Sequence, residues 1–442
     1  MMHRPQKIRI LLMAEAVSLA HVGRLAALAR SLDSRHYEVC FACDPRYNAL
    51  LGDLPARLQP LGTISGRQFT RALSRGLPIY STRDIVRYVH EDLALMRAFR
   101  PHAVVGDFRL SLAISARLAD TPYLTVTNAY WSPHAVLDYP VPELPIARVL
   151  GPRLGQRVFD LARPLAFALH ARPVNQARKW FGLAPLDGDV RTIYTDADYT
   201  LFADVPELVP TAGLPSTHRF VGPLPWSPSV QRPAWWDEMP EDRPIVYVTL
   251  GSSGESALLG CVLEGLRDLP VFVVAATAGR GRPGTIPPNA RVSDFVPGAE
   301  AAARARLVIC NGGSPTSYQA LAAGVPVIGL PGNLDQYLNI TLLETAGAGR
   351  MLRAGKVQAN SLRSAVRDML ADPQPAARAR ALQAVLARLA PGEAVKGVLR
   401  EALGARPADR HRRMMPHRAQ PAAAPGRGVR LWGPPPHSGT SG

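Results

Sequence analysis

The feature that most constrains this chain is residues 307–339, LVICNGGSPTSYQALAAGVPVIGLPGNLDQYLN. Its apolar run Leu307-Val308-Ile309-Cys310 reads as a buried strand, and residues 311–316 turn the chain. A helix follows through Gln319 and Leu321, Gly324 stops it, and residues 325–330 form a second buried strand. This is a strand–loop–helix–strand unit, the building block of parallel sheets. The turn suits an anion. Gly312 and Gly313 let the backbone approach a ligand, Ser314 suits an N-cap and Pro315 the first helical position. Free amides and the helix dipole at that point favour a phosphate. Asp335 and Gln336 then lie beyond the carboxyl end of the second strand, where open α/β sheets bind ligands.

The same stretch resembles the donor-binding signature of the GT-B glycosyltransferases of family 1, the UDP-glycosyltransferase superfamily in its bacterial form. That signature runs H-G-G-x-x-T-x-x-E-A-L-x-x-G-V-P-x-x-x-x-P-x-x-x-D-Q-x-x-N. Gly312, Gly313, Thr316, Ala320, Leu321, Gly324, Val325, Pro326, Pro331, Asp335, Gln336 and Asn339 fall in place. The family His is Asn311 here and the family Glu is Gln319, each an amide that still hydrogen-bonds. The resemblance implies an α/β GT-B fold, two Rossmann-like βαβ domains facing across a cleft. It also implies metal-free, inverting transfer from a nucleotide sugar as co-substrate, with no cofactor. Asn311, Gly313, Ser314 and Thr316 would hold the diphosphate, Gln319 would stand at the ribose position, and Asp335 and Gln336 would hold the sugar hydroxyls.

The chain opens with another βαβ unit: a strand at 7–13, a helix at 20–32 and a strand at 37–43. Here His21, Leu28, Ala29 and Leu32 match the family segment G-H-x-x-P-x-x-x-L-A-x-x-L, with Ala20 for its Gly and Arg24 for its Pro. The resemblance makes His21 the catalytic base and Asp107, ending the strand at 101–107, its orienting carboxylate. A neutral His suits proton abstraction, and a carboxylate on its other nitrogen fixes the tautomer. The competing roles are a capping or surface His for His21 and a helix N-cap for Asp107, and Arg109 is placed to pair with Asp107. Residues 44–77 read as loop-rich, 81–99 as an amphipathic helix, and 128–134 leave a strand toward the cleft. Tyr130, Trp131 and His134 are therefore candidates for the acceptor site.

Residues 147–181 are basic and helical, with breaks expected near Pro152, Pro164 and Pro173 and an apolar stripe at Leu150, Leu154, Val158 and Leu161. The region is either an acceptor-pocket wall or a packed helix pair. The Pro/Gly-rich piece 220–225 sets the expected boundary between domains at 1–222 and 223–403. The second domain opens on a strand at 245–250 followed by Gly251, Ser252 and Ser253, again suited to phosphate. Val296 lies in a segment that resembles the family's base-contacting loop. Gly279 to Gly284 spell G-x-G-x-x-G, but no helix starts there, so it is not a dinucleotide fingerprint. The D-x-D at Asp196 and Asp198 reads as chance.

Four cysteines fit a reducing compartment, and Cys40 and Cys43 fall inside a strand rather than in a redox turn. Arg9 and Glu15 interrupt the first apolar run, so it reads as a strand rather than a signal peptide, and the expected location is the cytoplasm. The net charge of +16 calls for an acidic partner. Seven arginines against one aspartate follow Ala405, in a Pro/Ala/Arg-rich stretch, 404–442, expected to be disordered. The partners expected are a nucleotide sugar and a small or lipid-like acceptor, with peripheral contact at the inner face of a membrane and no nucleic acid. A donor-binding protein with impaired catalysis and a GT-B sugar-nucleotide epimerase are the alternatives.

Overall fold

The structure is a computed structural model that describes residues 7–251, 257–281 and 283–405. Ser252, Ser253 and the tail expected to be disordered lie outside the described residues, save the tail's first two positions. The first sheet holds β1 (Ile8–Ala14), β2 (Tyr37–Cys43), β3 (Arg57–Pro60), β4 (Ala103–Asp107), β5 (Tyr123–Thr127), β6 (Tyr199–Phe202) and β7 (His218–Phe220). Their order is β3-β2-β1-β4-β5-β6-β7, all parallel. Successive β1 residues feed opposite cores: Ile10 and Leu12 one cluster, Leu11 and Met13 the other. Burial on both faces is what the apolar strand runs require. Connecting them are α1 (Leu19–Ser31), α2 (Asn48–Leu51), α3 (Gly66–Arg75), α4 (Thr82–Phe99), α5 (Leu112–Leu118), α6 (Pro145–Trp180) and α7 (Val190–Tyr194).

The second sheet, also parallel, holds β8 (Ile245–Thr249), β9 (Phe272–Ala276), β10 (Ala290–Ser293), β11 (Leu307–Cys310), β12 (Val327–Gly329) and β13 (Gly349–Met351) in the order β10-β9-β8-β11-β12-β13. Its helices are α8 (Leu258–Leu266), α9 (Gly298–Arg304), α10 (Ser314–Ala322), α11 (Leu334–Thr345), α12 (Ala359–Ala371), α13 (Pro373–Leu386) and α14 (Pro391–Gly404). In each sheet the connections reverse direction once, between β1 and β4 and between β8 and β11. At such a switch point adjacent loops diverge and leave a crevice at the strands' carboxyl ends.

Several expectations are corrected. The loop-rich residues 44–77 also hold α2, β3 and α3. The helix α14 returns to the first domain, where Val395, Val398 and Leu399 join the core of Ile10, Leu12 and Val22. The second domain therefore does not run to 403: the apolar stripe of α14 must be buried, and the open face lies beside α1. Pro164 and Pro173 sit inside α6 without ending it, and the one break is Gly151, at φ 73°. Cys40 and Cys43 are free, face different cores, and burial pushes their thiols up to about 11 and about 12. Asp196 pairs with Arg117 and Arg178, so the D-x-D is structural.

Candidate active site

The two switch points face one another across a cavity of about 370 Å3, lined from both domains. On the first domain's side, β1 leads into α1, which carries His21, and β4 ends on the buried Asp107. His21 Nδ1 lies 2.7 Å from Asp107 Oδ1. Arg24, one turn further along α1, donates from Nε to Asp107 Oδ2 at 2.8 Å and from Nη2 to Oδ1 at 2.8 Å. A carboxylate so held only accepts, so in the neutral imidazole of His21 Nδ1 carries the hydrogen and Nε2 the lone pair. The 3.2 Å approach of Arg24 Nη2 to His21 Nδ1 then sets donor against donor, and the shared carboxylate holds both in place. Burial works against the Arg24 charge, but Asp107 outweighs it and holds the guanidinium more firmly protonated.

Asp107 does not cap the next helix, since Ser111 occupies that position. Nor does Arg109 pair with it. Arg109 is buried among Glu15, Glu91 and Asp92, with Tyr88 against its guanidinium face, and reaches none of the reacting groups. Phe108 takes φ 58°, a conformation rare for an aromatic residue, and its ring stacks on His21 at 4.8 Å and 6°. Such strain at a cavity wall marks a residue held there by its surroundings.

On the second domain's side the turn after β11 is built from backbone. Gly312 takes φ 78°, Gly313 is the N-cap of α10, and Ser314 and Pro315 open the helix. Ser314 is thus the first helical residue rather than the cap expected of it. Asn311 Oδ1 accepts from Gly313 N at 3.0 Å, so the amides left at this helix start are those of Ser314 and Thr316. Gln319 Nε2 donates to the carbonyl of Trp226 at 2.5 Å and to Ser227 Oγ at 3.2 Å, tying α10 to the linker. A Glu at this position has no hydrogen to give that carbonyl. Gly251, Val296 and Asn311 also line the cavity, as does Phe295.

Asp335 and Gln336 stand in the first turn of α11, whose N-cap is Asn333. Tyr130 OH and Trp131 Nε1 donate to Asp335 Oδ1, at 3.1 and 2.8 Å. Trp131 lines the cavity, while Tyr130 is fully buried behind it. These two candidates for the acceptor site therefore brace a carboxylate of the second domain. His134, the third, is not among the cavity-lining residues and lies edge-on to His218 at 5.6 Å.

The sequence reading missed the connection between these halves. Arg24 Nη1 donates to Asn128 Oδ1 at 2.7 Å, and Asn128 Nδ2 donates to Asp204 at 3.0 Å and to Ser314 Oγ at 3.1 Å. Asp204 also accepts from Tyr318 OH at 3.0 Å. Burial raises the Asp204 pKa, against these hydrogen bonds. A chain of contacts thus runs from the His21–Asp107 pair to the start of α10. Its one sequence signal was Arg24, a charge in place of the family Pro.

A cleft between two parallel-sheet domains, with a carboxylate-oriented His on one wall and a helix start on the other, defines a group-transfer enzyme of the GT-B type. Residues 261–400 match the family described as Erythromycin biosynthesis protein CIII-like, C-terminal domain. The chain is 52% identical, over 362 residues, to a PGL/p-HBAD biosynthesis glycosyltransferase of Mycobacterium tuberculosis (strain ATCC 25177 / H37Ra), covering 82% of this chain and 85% of that one. It is 51% identical to a PGL/p-HBAD biosynthesis rhamnosyltransferase of Mycobacterium bovis (strain BCG / Pasteur 1173P2), covering 82% and 80%. The solved Spinosyn Rhamnosyltransferase SpnG complexed with thymidine diphosphate superposes with a TM-score of 0.62 at 22% identity, over 89% of this chain and 100% of that chain. The chain belongs to the family 1 superfamily of GT-B glycosyltransferases, and it is a glycosyltransferase.

Proposed function

We propose that this enzyme moves a hexosyl group from a nucleotide sugar to a hydroxyl of a small or lipid-like acceptor, by inverting displacement without a metal. The observation that carries this is the His21 Nδ1–Asp107 contact at 2.7 Å in the same cavity as the open end of α10 and Asp335. His21 Nε2 takes the acceptor proton while the acceptor oxygen attacks the anomeric carbon. The bond from that carbon to the diphosphate breaks, and the electron pair leaves with the diphosphate. Asp107 keeps His21 in the reactive tautomer and stabilises the imidazolium that forms. The amides of Ser314 and Thr316, with the helix dipole, receive the developing diphosphate charge. Asp335, braced through Oδ1, offers Oδ2 to the sugar hydroxyls. Gly251 gives the nucleotide close access to the backbone, and Val296 stands by the base.

UDP follows from the family resemblance as the carrier, and thymidine diphosphate from the SpnG complex. The rhamnosyltransferase relative supports a rhamnosyl group and the same kind of biosynthesis. One observation favours a second reading, a donor-binding protein with weakened catalysis: Gln319 spends its donor group on Trp226. The test incubates the protein with UDP- and dTDP-sugars and a phenolic or lipid alcohol, in EDTA, and reads product anomers by NMR. A product with inverted configuration is expected. Retained configuration, or transfer only after a divalent cation is added, would overturn the mechanism.

A further inference from the structure

The apolar stripe of α6 does not face inward. Phe159, Ala166, Phe167 and His170 of this helix wall the cavity, whereas Leu154, Leu161, Leu165 and Leu169 point away from the molecule. Leu161 is 85% exposed and Leu165 66%. Of the thirteen exposed large apolar side chains among the described residues, seven stand on this one helix. Scattered surface leucines need no explanation, but a contiguous row of them does.

The charges on the same surface say what covers it. Among the described side chains, α6 exposes Arg153, Arg157, Arg172 and Lys179 against one acid, Asp160, which pairs with Arg163 at 3.8 Å. The other wall of the cavity repeats the pattern. Phe69, Leu73 and Leu77 of the α3 segment line it, while Arg67, Arg71 and Arg75, four residues apart, are exposed. The two elements meet at the cavity, where Leu144 Cδ2 lies 3.2 Å from the position of a Cβ on Gly76. Leucines interleaved with arginines on one exposed helix match a lipid interface: the leucines enter the acyl boundary and the guanidinium groups stay among anionic headgroups. No helix among the described residues is long and apolar enough to cross a membrane.

We infer that the outer face of α6, with the basic edge of α3, docks this enzyme on the surface of an anionic lipid bilayer. Docking there sets the acceptor end of the cavity against the bilayer. That consequence rests on the acceptor reading above, whereas the docking does not.

The test is co-sedimentation of the full chain with phosphatidylcholine vesicles, plain or with a phosphatidylglycerol fraction of about one third. Wild type should bind the anionic vesicles and lose that binding as salt rises. The Leu161→Ser/Leu165→Ser double variant should bind them roughly tenfold more weakly or less, with unchanged thermal unfolding and unchanged transfer to a water-soluble acceptor. Arg153→Glu/Arg157→Glu should remove the preference for anionic over neutral vesicles. Absence of wild-type binding, or equal binding by both variants, would overturn the inference. So would a wild-type dimer in sedimentation velocity that the leucine variant dissociates, because a second copy would then cover the face. Since sedimentation needs no sugar transfer, failure here is distinct from failure of the proposed reaction.

Discussion

The two walls of the cleft are made by different means. The wall proposed to take the acceptor is built from side chains: His21, Asp107 and Arg24 hold one another through charge-assisted hydrogen bonds, with Asp107 and Arg24 buried and His21 partly exposed. The wall proposed to take the sugar donor is built from backbone: Gly312 at φ 78°, Gly313 and the start of α10 shape a cradle whose hydrogen-bond donors are amides. A side-chain cluster offers a titratable group at one atom, which proton abstraction needs. A backbone cradle offers fixed partial positive charge, which a diphosphate of any nucleotide can use. Substitutions should therefore fail differently on the two sides.

Arg24→Met is the severest break of the acceptor wall. It strands Asp107 as a buried, half-partnered charge and cuts the link to Asn128. A loss of about 3–5 kcal/mol in stability is expected from urea unfolding, together with reduced kcat. On the donor wall, Asp335→Ala removes a charged hydrogen-bond acceptor held by Tyr130 and Trp131. Calorimetry should show donor affinity weakened roughly 30- to 100-fold, with folding intact.

A pH scan sharpens the comparison on the acceptor side. Burial, helped by His134, holds His218 on β7 down at about 4 against an ordinary 6.5. The unfolded chain therefore takes up this proton first, so the stability supplied is full above pH 6.5 and lost as pH falls toward 4. The loss should be about 3 kcal/mol, and His218→Gln should flatten that part of the profile. The smallest effect belongs to the cradle. Gly312→Ala would place a Cβ 3.1 Å from the Gln336 carbonyl in a left-handed conformation. About 1–2 kcal/mol is expected, seen in thermal unfolding and a several-fold weaker donor.

The same contrast explains what was legible in the sequence. The donor turn was readable because its physics is local: glycines, a proline and an apolar strand on either side dictate the conformation whatever lies around them. His21 and Asp107 were reached through the family resemblance, which matched His21 in the first helix and the carboxylate that ends the strand at 101–107. Their lock on Arg24 was not, because Arg24 showed only as a departure from a pattern, and its partners come 83 and 104 residues later. Trp131 lines the cavity with Tyr130 buried behind it, and both face a carboxylate of the other domain, a pairing that only tertiary structure creates. The stripes on α6 and α14 show the limit most clearly. Both have apolar residues at helical spacing, yet one is buried against the first domain and the other lies on the surface. Periodicity marks which face is apolar, and it is silent on what that face meets.

The central claim is that base and donor site are separate machines joined in one cavity. It is tested most directly by measuring transfer rate and donor affinity together in His21→Ala. Transfer should fall by about 100- to 10,000-fold, while donor binding by calorimetry stays within about twofold of wild type. Transfer surviving near the wild-type rate, or donor binding lost along with it, would contradict the assignment of His21 as the base on the acceptor wall.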